Sequence, residues 1–285
     1  MNNTDGKTGV LGLIGKPVEH TLSPIIQNML AEEYDRNVIY VPFLVERDLP
    51  TAIRGAYELN IMGLNVTVPY KSDVIPLVCE IDSLAEKIGA VNTLVRTEKG
   101  YKGYNTDMLG LLRDLNVHQV GIKGEHVILV GAGGVARAVA VMCAENGAAS
   151  IRIMNRTVER ATAVADEVRN FGYTCELTAC GLTDVDVIPD RKHLVFQCTN
   201  IGMYPNCGEV AIEDPNFYEK IHTGYDLIYR PAETGFMQLV SAHGGRAING
   251  LGMLLYQGII AFELWNDLQI ADESAAKIAA VIGVE

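Results

Sequence analysis

The sequence predicts an α/β fold in two domains, and three observations predict it. Short apolar runs of strand length alternate with stretches of helical spacing, a glycine-rich turn joins one such strand to one such helix, and 285 residues with 48% hydrophobic content can bury two cores of ordinary size.

Residues 10–14 are a short apolar run that predicts a strand, and residues 24–34 follow as a helix. Ser23-Pro24 at its start fits an N-cap serine with proline at the first helical position, where the missing N–H is not needed. Residues 38–44 predict a second strand. Residues 48–60 predict a helix, because Leu49, Ala52, Ile53, Ala56 and Leu59 recur at helical spacing, and residues 63–68 return to a strand. After a glycine-containing connection at 121–124, a second cycle runs through strand 126–130, turn 131–134, helix 135–146 and strand 150–154. That is one βαβ unit, which implies a mostly parallel sheet. Alternation continues to about residue 247, and an apolar helical stretch over 252–264 follows Asn249-Gly250.

Composition removes several classes of function. A formal net charge of −12 with 23 Lys and Arg residues argues against nucleic acid as a partner, since a basic phosphate-facing surface supplies most of that affinity. No apolar run reaches the roughly 18 residues of a membrane span, so no membrane partner is expected. Residues 1–7 are polar and the run at 10–14 is too short for a signal-peptide core, so a cytoplasmic location is expected. Cys79, Cys143, Cys175, Cys180, Cys198 and Cys207 contain no C-x-x-C pair, and the histidines show no H-E-x-x-H spacing. Reduced thiols and no metal are the expectation.

The turn Gly131-Ala132-Gly133-Gly134-Val135-Ala136 fits G-x-G-x-x-G/A, with Ala136 in the last place, between a predicted strand and helix. Glycines there permit a tight turn and let backbone N–H groups approach a pyrophosphate on the positive end of the helix. This predicts a Rossmann doubly wound domain. An NAD-selective site places an acidic residue at the end of the next strand, roughly 20 residues on. Asn155-Arg156-Thr157 stands there instead, with Arg160 one turn later. A carboxylate would repel a 2′-phosphate, whereas two guanidiniums and a hydroxyl attract it, so NADP is the predicted cofactor.

Spacing alone stops at an NADP-linked oxidoreductase. The segments Gly15-Lys16-Pro17-Val18-Glu19-His20-Thr21-Leu22-Ser23-Pro24, Asn65-Val66-Thr67-Val68-Pro69-Tyr70-Lys71, Gly89-Ala90-Val91-Asn92-Thr93 and Gly103-Tyr104-Asn105-Thr106-Asp107 follow one another in the first part of the chain. Asp226-Leu227-Ile228-Tyr229-Arg230-Pro231 and Asn249-Gly250-Leu251-Gly252-Met253-Leu254-Leu255-Tyr256-Gln257 come later. In this order, with the glycine turn and Asn155-Arg156-Thr157 between them, they resemble the shikimate dehydrogenase family over nearly the whole chain.

The resemblance implies an oxidoreductase acting on CH–OH that uses NADP to interconvert 3-dehydroshikimate and shikimate, a step of chorismate and aromatic amino acid biosynthesis. It assigns Lys71 and Asp107 as the catalytic pair, and their chemistry suits the task. Hydride addition to a ketone leaves an alkoxide that must gain a proton from a group within hydrogen-bond reach, and a lysine beside that oxygen stabilises the growing charge. Which of the two transfers the proton stays open. Shikimate is a small polyol carboxylate, so its site needs hydroxyls and amides. Thr21, Ser23, Thr67, Asn92, Thr106 and Gln257 occupy the family's substrate positions and are of that type, Tyr229 matches a position near the substrate, and Lys71 and Asp107 complete the set. For the cofactor the resemblance adds Thr199, Asn200, Gly202, Met203 and Gly250 to the glycine turn, Asn155, Arg156, Thr157 and Arg160.

It also implies the domain plan: an α/β substrate domain from residues 1–106 and 250–285, and a Rossmann NADP domain from 107–249. The chain departs from the family pattern at Thr21, where Ser is more usual, at Gln27, where His is commoner, and at Cys198-Thr199-Asn200, where an Asn-x-Thr version is more usual. Two alternatives therefore stay open, a quinate/shikimate dehydrogenase with broader NAD and NADP use and a non-catalytic NADP-binding sensor. The expected partner is a small-molecule substrate, and the chain is expected to be a monomer or homodimer.

Overall fold

The computed structural model describes residues 4–283; Met1, Asn2 and Asn3 of the polar start, with Val284 and Glu285, lie outside the described residues. The chain forms two compact units, one from the segment up to Asp114 together with that from Gly252 onward, the other Leu115–Leu251. The first runs β1 (Gly9–Gly15), α1 (Ser23–Glu33), β2 (Val38–Leu44), α2 (Leu49–Glu58), β3 (Gly63–Val66), β4 (Glu80–Ile81), α3 (Ser83–Ile88), β5 (Thr93–Thr97), β6 (Gly100–Tyr104) and α4 (Thr106–Val117). The second runs β7 (His126–Val130), α5 (Gly134–Glu145), β8 (Ser150–Met154), α6 (Val158–Arg169), β9 (Glu176–Cys180), β10 (His193–Gln197), α7 (Pro215–Glu219), β11 (Ile221–Asp226), α8 (Gly235–Ala242) and β12 (Arg246–Ile248). Helices α9 (Leu251–Asn266) and α10 (Asp272–Ile282) return to the first unit.

The first unit's sheet has the order β2-β1-β3-β5-β6-β4. Strands β1, β2 and β3 are parallel, whereas β5 is antiparallel to both β3 and β6, so this sheet is mixed. Period-two alternation along β1 feeds two cores. Leu11 and Leu13 pack with Ile26, Leu30, Leu255, Phe262 and Ile278 on one face, while Ile14 joins Ile53, Leu64, Val66, Leu94 and Tyr101 on the other. Each fully buried side chain of this kind contributes about 1.5–3 kcal/mol of transfer free energy. Gly63 leaves room for Trp265, because a Cβ there would lie 2.0 Å from Nε1, the atom that donates to the Leu94 carbonyl at 2.9 Å.

Two differences from the sequence expectations concern α1 and the domain boundary. Ser23 is the first helical residue rather than the N-cap; Leu22 already has helical φ and ψ of −88° and −9°, and its carbonyl accepts from Ile25 and Ile26. The Ser23 side chain is therefore released from capping, and the Thr21 hydroxyl takes over, accepting from the Ser23 N–H at 3.2 Å. The unit boundary falls within α4, past the 106/107 division read from the sequence, and this places Asp107 in the first unit. The reason is the close seating of α4 on α9: a Cβ at Gly110 would lie 2.5 Å from the Gln257 nitrogen, and one at Gly252 would strike the Asp114 carboxylate.

In the second unit all strands are parallel, in the order β12-β11-β10-β7-β8-β9. Connectivity reverses between β7 and β10, which makes their carboxyl ends the switch point where open α/β sheets bind ligands. The turn after β7 and the loop after β10 both lie there. Among the described residues no helix is long and apolar enough to cross a membrane, and no His, Cys, Asp and Glu cluster could hold a metal ion.

Candidate active site

In the first unit the structure brings Lys71 and Asp107 together. Lys71 follows β3, and its backbone is pinned where Val91 N–H donates to its carbonyl at 2.8 Å. Asp107 lies in the first turn of α4, which Asn105 caps by accepting from Met108 N–H at 3.2 Å. The ammonium Nζ donates to Asp107 Oδ2 at 2.7 Å, with side chains 34% and 17% exposed. The pair is thus half-buried and still reachable by a small molecule.

Behind it runs a buried polar network. Asn92 Oδ1 accepts from Thr106 N–H at 2.7 Å, from the Thr106 hydroxyl at 3.2 Å and from the Thr93 hydroxyl at 3.1 Å. Asn65 Nδ2 donates to the Thr93 hydroxyl at 3.0 Å, and Tyr40 Oη donates to Asn65 Oδ1 at 2.8 Å. Burial pushes the Tyr40 phenol far above its ordinary range, opposed by the Ser23 hydroxyl. Ser23 in turn takes the Thr21 hydroxyl at 3.1 Å. Polar contacts therefore connect Thr21, Ser23, Asn92 and Thr106 through a core that is otherwise apolar, and Thr106 is the chain neighbour of Asp107. Satisfied networks of this kind hold their members in one geometry.

Two further expected residues belong to the same unit. Thr67 donates its N–H to the Ile14 carbonyl, and its methyl crosses β1 where a Cβ at Gly15 would lie 2.2 Å away. Gln257 is buried on α9, with Nε2 on the Leu254 carbonyl at 2.9 Å. Tyr229 belongs to the second unit, after β11, with the Arg230 guanidinium 6.0 Å from its ring centre. Sequence reading missed Tyr40, Asn65, Thr93 and Asn105, the supports of the cluster. Three of these four lie inside quoted motifs, so the signal was present; what periodicity cannot show is that buried amides and hydroxyls at distant positions meet.

The glycine turn of the second unit is formed as expected. Gly131 has φ of +112°, a conformation that side chains resist, and a Cβ there would also lie 2.9 Å from the Thr199 methyl. Gly133 caps α5 without a side chain, and a Cβ at Gly133 or Gly134 would meet nothing within 4 Å. Protein packing thus leaves the space at this helix N-terminus open. Ala132 and Val135 flank it, Val135 being 39% exposed, while Ala136 is fully buried against the sheet. At the end of β8, Asn155 Nδ2 donates to the Thr157 carbonyl at 2.9 Å, and Arg156, Thr157 and Arg160 are exposed at the start of α6. Neither arginine is paired with a carboxylate among the described residues.

The loop after β10 is held by Gln197, whose Oε1 accepts from Thr199 N–H at 2.6 Å and whose Nε2 donates to the Ile201 carbonyl at 3.1 Å. Asn200 accepts from Met203 N–H, Gly202 has φ of +98°, and Met203 is 46% exposed. Gly250 is a packing glycine: a Cβ would lie 2.4 Å from the Leu227 carbonyl oxygen.

Beneath this loop lies Asp226, which opens one of the quoted motifs but was assigned no role from the sequence. It is fully buried and accepts from the Thr234 hydroxyl at 2.6 Å and from Ile228 N–H at 3.0 Å. Desolvation pushes its carboxyl up to about 6, against these two bonds. A folded-state value above the unfolded one means that the fold favours the proton, so ionised Asp226 costs stability above about pH 6 and that cost fades as pH falls toward 4. Thr234 also caps α8, accepting from Met237 N–H. Thr234→Val therefore lowers unfolding free energy by about 3 kcal/mol at pH 8, the sum of a lost charge-assisted bond and a lost cap. The loss shrinks at pH 4, where the carboxyl is neutral; urea denaturation at both values measures it.

The chain is similar to known proteins over nearly its whole length. Three family models match the chain, the shikimate dehydrogenase substrate binding domain over residues 13–94, shikimate / quinate 5-dehydrogenase over 114–204 and the shikimate 5'-dehydrogenase C-terminal domain over 250–275. A shikimate dehydrogenase (NADP(+)) of Carboxydothermus hydrogenoformans is 40% identical over 262 residues, 92% of each chain. Among solved structures, a shikimate dehydrogenase in complex with NADP+ is 37% identical with a TM-score of 0.87, over 100% of this chain and 98% of that one. A shikimate 5-dehydrogenase from Listeria monocytogenes, in complex with shikimate and NAD, is 27% identical with a TM-score of 0.89 over 99% of each.

Proposed function

Since the chain belongs to the shikimate dehydrogenase family, we propose that it interconverts 3-dehydroshikimate and shikimate, with NADP as the hydride carrier. The single observation that carries this reading is the half-buried Lys71–Asp107 pair, 2.7 Å apart and backed by the Asn92–Thr106 cluster. A non-catalytic dinucleotide binder has no use for a reachable ion pair held this firmly.

The residues present fit NADP. The open space over Gly133 and Gly134 accepts a pyrophosphate on the N-terminus of α5, and the unpaired Arg156 and Arg160, with the Thr157 hydroxyl, suit a 2′-phosphate. Thr199, Asn200, Gly202 and Met203 border the same end of the sheet. When bound, NADPH supplies the hydride that reduces the ketone. Lys71 and Asp107 hold a proton at the substrate oxygen, give it up as the alkoxide forms and recover it in the reverse direction. The Lys71 ammonium also stabilises the growing negative charge. Asn92 presents Nδ2 to a substrate hydroxyl, while Thr21, Ser23, Thr67, Thr106 and Gln257 supply the further hydroxyl and amide contacts a polyol carboxylate needs, and Tyr229 is the additional substrate residue that the family resemblance assigns. This reading places the enzyme in the cytoplasm, where its six free thiols stay reduced.

Initial rates followed at the reduced-nicotinamide absorbance band, crossing shikimate and quinate with NADP and NAD, test the proposal. Shikimate with NADP is expected to give the highest kcat/KM. Quinate at or above shikimate overturns the substrate assignment, and no turnover with any pair overturns the enzyme.

A further inference from the structure

A second cluster of charged side chains lies within the second unit, at the opposite end of its sheet from the glycine turn. The register of β7, β8 and β9 aligns His126, Ser150 and Glu176 in one row and Ile128, Arg152 and Thr178 in the next but one, so these side chains share a face. Toward the carboxyl ends this face is apolar, and Val185 and Ile188 from the β9–β10 connection cover it. That connection, residues 181–192, holds a single 3₁₀ turn, Val185–Val187, where a longer helix would cover the whole strand length. The amino-terminal half of the face stays uncovered, leaving a cavity of about 80 Å³.

The groups around this cavity are arranged for an anion. Arg152 and Arg191 both line it, and neither has a carboxylate partner among the described residues. Arg191 instead places its guanidinium 2.6 Å from His126 Nε2. A guanidinium only donates, so His126 accepts there, and its Nδ1–H donates to the Ser150 hydroxyl at 2.7 Å. Thus the strongest donor in the cavity is held by a neutral acceptor. His193 is 4% exposed and donates Nε2–H to the Pro189 carbonyl at 3.3 Å, while its Nδ1 is buried without a partner. Glu176 is the one acidic lining residue; it is exposed and pairs with neither arginine.

We propose that this cavity binds one small tetrahedral oxyanion of the phosphate class, held by Arg152 and Arg191 with the Ser150 and Thr178 hydroxyls as further donors. Two guanidiniums give charge-assisted, planar recognition that a neutral imidazole cannot match, so Arg191 exchanges His126 for the anion. The volume accommodates a free ion. Bound there, the ion ties the starts of β7 and β8 to the loop before β10. Glu176 opposes it by like charge across the cavity mouth.

Titration calorimetry with inorganic phosphate, at constant ionic strength balanced by chloride, tests the site on the full chain with NADP saturating, so that Arg156 and Arg160 are engaged. One phosphate per chain is expected to bind saturably. Arg191→Ala weakens it about fivefold or more and Glu176→Gln tightens it about threefold, because the first variant removes a charge-assisted hydrogen bond and the second a repulsion. Both changes are at exposed positions outside the active site, so shikimate turnover serves as the check that each variant is folded. An absence of saturable phosphate binding overturns the proposal, as does an Arg191→Ala protein that binds phosphate like the parent.

Discussion

Lys71→Ala lowers kcat/KM for shikimate with NADP by about 10³-fold, the range expected when a group that both shuttles a proton and stabilises an oxyanion is removed. The same substitution leaves stability nearly unchanged, because a pair with 34% and 17% exposed side chains contributes about 1 kcal/mol or less once screened by solvent. This contrast separates chemistry from architecture. Asp107→Asn keeps an oxygen within reach of Nζ but removes the charge, so a comparable loss in that variant shows that the carboxylate takes part in the chemistry beyond positioning the lysine. Steady-state rates set beside urea midpoints decide the matter. Turnover within twofold of the parent for Lys71→Ala would remove that residue from the mechanism.

The second large effect is expected at the end of β8. Arg156→Asp replaces an exposed, unpaired guanidinium by a carboxylate of the kind that pairs with ribose hydroxyls. NADP then loses a charge-assisted hydrogen bond and meets a repulsion, while NAD gains an acceptor for its 2′-hydroxyl. With each such effect at about 1.5–3 kcal/mol, the ratio of kcat/KM for NADP over NAD falls about 10³-fold. Because Arg156 is exposed and makes no contact in the core, the loss should appear in the cofactor KM, with kcat on saturating NADP little changed. An unaltered ratio would transfer the 2′-phosphate role to Arg160 alone.

The βαβ unit from His126 to Met154 is the clearest case of structure legible in sequence. Its apolar strand, glycine turn and alanine-rich helix each follow a local rule, and the local rules agree with one another. The start of α1 is the instructive failure. Ser23-Pro24 satisfies the local preferences for a cap, yet Leu22 takes the cap position and frees the Ser23 side chain for Thr21 and Tyr40. Propensity sees one residue and its neighbours; the position of Tyr40, on the adjoining strand, is outside its reach.

By itself the sequence determined the alternation of strand and helix, the dinucleotide turn, the absence of an acidic residue at the very end of β8 and the types of side chain available for catalysis, because each depends on residues a few positions apart. Tertiary structure alone decided that Asn65, Asn92, Thr93 and Thr106 share one buried network, that Asp226 loses its water and holds its proton more tightly, and that a β9–β10 connection with only one 3₁₀ turn leaves Arg152 and Arg191 beside an uncovered cavity. Burial, desolvation and hydrogen-bond pairing are properties of space between distant segments, and a linear pattern contains the groups without the distances between them.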